Sequence, residues 1–255
     1  MVIVVYIPFG DLMHGEREPG GKYWRRCLGN QDWWIQRAKV LKEYTLRSLN
    51  NQSNDEFIVV AGIAVEVNPE FSAPVIEVLA DFGADIVTFQ AAETLDRGQC
   101  APQSLLRRYG GSAPLKLVWL DSDDMYSRDA LAIIEHESCE PGAVLMFRRG
   151  YIWRPEAKEL YVYNPGVCPP PFFTRHYSAD AFEDLDAYER LHTFYNYHHH
   201  LFASRTKVDM PDDQFCVVVH GTNTSTVLEA WKVQNKIGRK IKIGEYETVI
   251  RRFLG

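Results

Sequence analysis

Residues Val2 to Ile7 read VIVVYI, an unbroken apolar run rich in β-branched side chains. A strand with one wet face alternates polar and apolar residues. This one does not, so it needs cover on both faces, as strands of parallel sheets do. Phe57 to Ala61, Ala84 to Phe89, Leu115 to Leu120 and Ala143 to Phe147 are further segments of strand length, rich in apolar residues. Helical patterns lie between them. From Trp33 to Asn50 the residues Trp34, Ala38, Leu41, Thr45 and Leu49 recur every three or four positions, which makes one buried face. Pro74 to Phe82, Ser104 to Tyr109 and Asp129 to Glu137 supply three more helices. Strand and helix alternating at this spacing predict an α/β fold with a mostly parallel, Rossmann-like sheet flanked by helices. Pro8 is expected to end the first strand.

The second half reads differently. Tyr151 to Tyr163 suggests a hairpin or meander, Gly166 to Phe173 (GVCPPPFF) a rigid loop, Asp180 to His192 a helix and Gln214 to His220 a strand. Beyond Thr226 the pattern is helical and basic. A chain of 255 residues suits one large or two small domains. No repeat or flexible linker divides it, so one continuous domain is expected, with halves at residues 1–149 and 150–255.

The net charge of −6 argues against a general nucleic-acid binder, whose footprint is basic. That charge is uneven. From Lys232 onward seven basic residues meet two acidic ones, a balance of +5, which leaves −11 for the rest. The basic segment is either a solvated helix or a peripheral contact to an anionic membrane surface or phosphorylated acceptor. Five cysteines are scattered without a CxxC pair, as free thiols in a reducing compartment would be. No stretch approaches the ~20 apolar residues of a membrane span, and the opening run lacks the basic region of a signal peptide. The expectation is a cytoplasmic protein without a transmembrane segment.

The strand Leu115 to Leu120 (LKLVWL) ends directly in Asp121-Ser122-Asp123-Asp124. In open α/β sheets ligands bind beyond the carboxyl ends of the strands. Carboxylates this close repel unless a cation lies between them. Mg²⁺ and Mn²⁺ take hard oxygen ligands and leave positions for substrate phosphates. Asp121 and Asp123 can face one such ion and its diphosphate. The alternative is a turn into a helix with a carboxylate cap, a role that suits Asp124.

Here the sequence resembles GT-A glycosyltransferases, whose DXD motif follows this strand. The segment Trp33 to Val60 (WWIQRAKVLKEYTLRSLNNQSNDEFIVV) is similar to rhamnosyltransferase-like, family-2-like enzymes, with a pattern close to W-x-x-R…Y-T-x-x-S-L-x-x-Q-x-x-x-x-F. The resemblance runs from Met1 to about Ser225. It implies a nucleoside-diphosphate-sugar donor, with rhamnose a candidate sugar, bound by residues 1–149, and a glycan, lipid-linked or small-molecule acceptor bound by residues 150–255. It places Arg37 toward the nucleotide; otherwise Arg37 is an exposed helix arginine. Phe182 to His192 (FEDLDAYERLH) resembles the element carrying the general base of inverting enzymes, which makes Asp184 the base candidate ahead of Glu183 and Asp186. His220, ending VVVH, stands where a late histidine completes the metal site with Asp121 and Asp123; imidazole suits Mn²⁺ as a borderline ligand. AGIAVE follows the second strand where many such enzymes carry an acidic pair, so the nucleotide is not specified.

Pro8 and Phe9, at the end of the first strand, are further donor-contact candidates. Arg97, Arg107 and Arg108 precede the aspartate strand and can pair with a diphosphate or stay solvated. Tyr23, Trp24, Trp33 and Trp153 can stack on a sugar or belong to the core. Three successive histidines, His198 to His200, would point in different directions on a helix or strand, which suits a surface or acceptor-cleft place better than a single ion. Two other classes compete: a metal-dependent phosphohydrolase, and a non-catalytic carbohydrate-binding protein on the same fold.

Overall fold

The computed structural model describes residues 1–9, 25, 27–90, 103–111, 113–140, 142–164, 172–183, 207–221 and 236–255. The chain is mixed α/β and carries two sheets. Its strands are β1 (Val2–Phe9), β2 (Ile58–Ala64), β3 (Asp85–Phe89), β4 (Leu115–Trp119), β5 (Met125–Tyr126) and β6 (Val144–Phe147). They continue with β7 (Gly150–Arg154), β8 (Glu159–Tyr163), β9 (Phe173–Tyr177), β10 (Lys207–Met210), β11 (Phe215–Val218) and β12 (Ile237–Lys240). Helix α1 starts as Gln31–Val40, passes through a π-helical segment, Leu41–Leu46, and ends as Arg47–Asn50. The others are α2 (Pro69–Phe82), α3 (Gln103–Tyr109), α4 (Ala130–His136) and α5 (Ile243–Leu254).

The larger sheet has the order β10-β6-β9-β4-β1-β2-β3. β3, β2, β1 and β4 run parallel, β9 is antiparallel to both β4 and β6, and β10 is parallel to β6. The unbroken apolar pattern of β1 has the expected cause. Ile3, Val5, Ile7 and Phe9 enter one core with α1 and α2, whereas Val4 and Tyr6 enter a second core with Leu105 and Leu106 of α3. Each such buried side chain contributes roughly 1.5–3 kcal/mol.

The strand does not stop at Pro8. The Tyr6 carbonyl accepts from Leu120 N–H on the β4 side, and Pro8, two residues on, turns the same way. There the β4 pairing has already ended, at Trp119. The missing N–H of Pro8 therefore leaves no gap in the ladder, and its other neighbour, Gly62, still pairs with it.

α2 begins at Pro69 rather than Pro74. The Asn68 side chain accepts from Glu70 N–H, and proline at the first helical turn gives up an N–H that has no partner there. Lys116 is buried in β4 and donates to the carbonyls of Ile134 (2.6 Å), Glu135 (3.0 Å) and Glu137 (2.7 Å), closing the end of α4. Burial lowers its ammonium pKa.

The second sheet is absent from the sequence expectations. It has the order β12-β8-β7-β11-β5, with β7 and β8 as the expected hairpin. β5, from before residue 150, joins this sheet, and β9 and β10, from after it, join the larger one. The expected helix beyond Thr226 is preceded by β12. Of the helix expected over Asp180 to His192, the described part is a 3₁₀ turn, Ala179–Phe182. Cys27, Cys139 and Cys216 are free thiols, and Cys100 and Cys168 lie outside the described residues. Among the described residues no helix is long and apolar enough to cross a membrane.

Candidate functional site

Three separate segments meet beyond the carboxyl end of β4. The turn Asp121–Asp124 leaves β4 and is closed by Asp124 N–H to Asp121 carbonyl, 3.2 Å. It runs straight into β5, which pairs antiparallel with β11 in the register Met125 to Cys216 and Tyr126 to Phe215. Stepping back along β5 means stepping forward along β11, so this register carries Asp123 toward His220. The fixed point is Asp124, whose Oδ1 accepts from Val218 N–H at 3.0 Å. The result is His220 Nε2 at 3.1 Å from Asp123 Oδ2.

The third segment is α1. Trp34 is sealed in the core, donates its indole N–H to the Leu28 carbonyl and stacks on Phe9 at the end of β1, with 5.5 Å between ring centroids. This anchors α1 over the sheet edge. Arg37, one turn further, reaches the neighbouring strand's turn: its guanidinium lies 2.7 Å from the same Asp123 Oδ2. The Trp33 ring lies 4.7 Å from the guanidinium carbon, as in a cation–π pair. Arg37 is 3% exposed, His220 7% and Asp123 14%. Burial on its own raises the Asp123 pKa, but Arg37 and then His220 overcome it and hold the carboxyl at about 2. Asp124 has the opposite fate. Burial, with Asp123 and Asp121 beside it, pushes its pKa well above the ordinary carboxylate value.

The remaining predicted residues are distributed as follows. Arg37 is not an exposed helix arginine. Asp124 is not a helix cap: α4 follows Asp129, and Asp124 is spent on β11. Asp121 is half-buried, and its Oδ1 accepts from the Trp119 indole at 3.0 Å. Phe9 is a core side chain, and Pro8 is half-buried beside it. Arg108 is far from the turn; it lies 3.5 Å from Asp85 on the edge strand β3, with β1 and β2 intervening before β4. Arg107 is exposed on the same helix, and Glu183 is exposed after the 3₁₀ turn. Trp153 is buried under α5 and donates to Tyr246 Oη at 2.6 Å. Arg97, Asp184, Asp186, Tyr23, Trp24 and the three histidines lie outside the described residues.

Trp119 escaped the sequence reading, and its signal was slight: an indole two residues before an aspartate on a strand shares that aspartate's face. Asp123 and His220 are the pair able to hold a divalent cation, a hard oxygen beside a borderline nitrogen. Among the described residues no three His, Cys, Asp or Glu side chains gather as a metal site. At Asp123 the third group is a guanidinium. No protein-family model matches the chain, and no curated protein matches it.

Proposed function

We propose that this protein is a glycosyltransferase of the GT-A type, moving a sugar from a nucleoside-diphosphate donor to an acceptor hydroxyl with inversion. The observation that carries this reading is the convergence of Asp123, His220 and Arg37 at the carboxyl edge of the parallel strands. Ligands of open α/β sheets bind at that edge, and a diphosphate needs positive charge there. Asp123 and His220 would hold Mn²⁺ or Mg²⁺, which supplies charge to stabilise the departing diphosphate. Asp121 lies beside them, oriented by Trp119. Asp184 is the assigned base for the acceptor hydroxyl, and rhamnose is the first donor sugar to test. The acceptor is a glycan, a lipid-linked sugar or a small molecule, and the setting proposed is the cytoplasm or a membrane's cytoplasmic face.

The test is thermal stabilisation by uridine, guanosine, thymidine and cytidine diphosphates, each with and without Mn²⁺. One of them is expected to stabilise the protein only with the metal, by about 2.7 kcal/mol at roughly a hundredfold excess over Kd. Asp123→Asn should abolish the effect while the chain stays folded. Metal-independent binding, or no binding of any of the four, overturns the reading. Asp184→Asn should keep nucleotide binding and lose transfer.

A further inference from the structure

Asp123 is mostly enclosed and already engaged, because a guanidinium from another element lies against its Oδ2 at 2.7 Å. His220 shares that oxygen. Arg37 is itself nearly sealed from solvent and packed on Trp33, so the pair is a built part of the site rather than a surface contact. A divalent cation that takes Asp123 must come up against this guanidinium, and two cations on one carboxylate repel strongly where water is excluded. A buried guanidinium drawn off one carboxylate is favoured by a second anion within its reach. The donor's diphosphate is the anion the site is proposed to receive, and guanidinium pairs with phosphate oxygens in a two-point fork.

Resting on the metal-dependent transferase reading, we infer that Arg37 is the internal counter-cation of Asp123 and passes from that carboxylate to the donor diphosphate when the divalent cation binds. Arg37 then has two roles. Before the donor arrives it holds the Asp123 carboxylate in place. Afterwards it clamps the phosphates. The consequence is positive coupling: cation and nucleotide each bind poorly alone and well together.

Mn²⁺ binding tests this, read from loss of the free ion's electron paramagnetic resonance signal and corrected for Mn²⁺ held by free nucleotide. The intact chain, Arg37→Gln and Arg37→Lys are compared, each first shown to be folded by circular dichroism. The intact chain should bind Mn²⁺ about tenfold more tightly with the stabilising nucleoside diphosphate than without it, the usual scale of coupling between two sites. Arg37→Gln should bind Mn²⁺ alone about tenfold more tightly than the intact chain and gain little from nucleotide. Arg37→Lys, which keeps the charge, should stay near the intact chain without nucleotide. If Arg37→Gln does not fold, the intact chain and Arg37→Lys decide: Mn²⁺ affinity indifferent to nucleotide overturns the inference. Equal or weaker Mn²⁺ binding by Arg37→Gln, with nucleotide-dependent binding intact, overturns the inference alone. No Mn²⁺ bound by any of the three in any mixture overturns the metal-dependent reading with it.

Discussion

Asp124 separates two jobs that a run of aspartates can hide. Asp123 is held ionised by the Arg37 guanidinium and its hydrogen bond with His220, whereas Asp124 is buried beside β11 and pushed toward its neutral form. What β11 needs from position 124 is an acceptor for Val218 N–H. Asparagine keeps that oxygen and leucine does not. Asp124→Asn should cost less than about 1 kcal/mol, whereas Asp124→Leu, leaving a buried N–H without a partner, should cost about 1–3 kcal/mol. Urea unfolding of both variants decides it, and equal losses would contradict the assignment. Gln52 shows the same economy. It donates to the carbonyls of Ser48 (3.0 Å) and Ser127 (2.8 Å) and accepts from Leu131 N–H (3.1 Å), joining the end of α1 to the start of α4. A glutamine standing in a sequence pattern can thus be structural even when an arginine of that pattern, Arg37, faces the site.

At the scale of elements, the site depends on registers more than on single contacts. Gly150 opens β7, where a Cβ would run into the Phe215 carbonyl oxygen of β11. That backbone cannot move without shifting the strand that delivers His220. Gly150→Ala should therefore destabilise the fold by about 1–3 kcal/mol. It should also weaken metal-dependent nucleotide stabilisation, measured by the same thermal series at a temperature where the variant is folded.

Legibility in the sequence follows the same physics. β1, β2, β4 and β6 were readable because both faces are buried and the run is apolar, broken in β4 by Lys116 alone. α1 was readable because its apolar positions recur at helical spacing. β5 is two residues long and too short to carry a pattern. β9 reads FTRHY, and its polar Thr174 and Arg175 are fully inside, with Arg175 lying 4.7 Å from the Tyr177 ring. Binary patterning cannot find a strand whose buried residues are polar. β12 is mostly exposed and basic, so it passed for helix surface. At the site, aspartates after a strand and a late histidine could be named in advance. That Arg37 would touch Asp123, and that Asp124 would accept from Val218 N–H instead of capping a helix, depend on how α1 and β11 pack.

The molecule as a whole is closed by its last helix. α5 covers the small sheet with Ile250 and Phe253, its end accepts from Arg47 through the Leu254 carbonyl at 3.0 Å, and the Arg252 carbonyl accepts from Arg128 N–H at 2.7 Å. Tyr44, part of the core beneath α5, has its pKa pushed up to about 12 by burial and then by Glu43. Burial raises Tyr126 and Tyr151 as well. The folded chain thus keeps phenol protons that the unfolded chain loses near pH 10.0, so it binds more protons above that pH. This stability is complete below pH 10.0 and drains as pH climbs toward about 12. The urea midpoint should fall across that window. A midpoint that stays constant from pH 10.0 to about 12 would contradict it.

The order of the strands also governs when the site can exist. Asp123 and His220 are 97 residues apart, and β9 lies between β4 and β6 although it is made after both. A growing chain that has reached the end of β6 cannot yet assemble the sheet, because the strand that joins β4 to β6 has not been synthesised. The His220 contact at Asp123 is then among the last to form, since long loops must close before their contacts form. Until β11 emerges and docks, Asp123 has no His220 and Asp124 has no Val218, so the Asp123 cluster is completed only after residue 220 has been made.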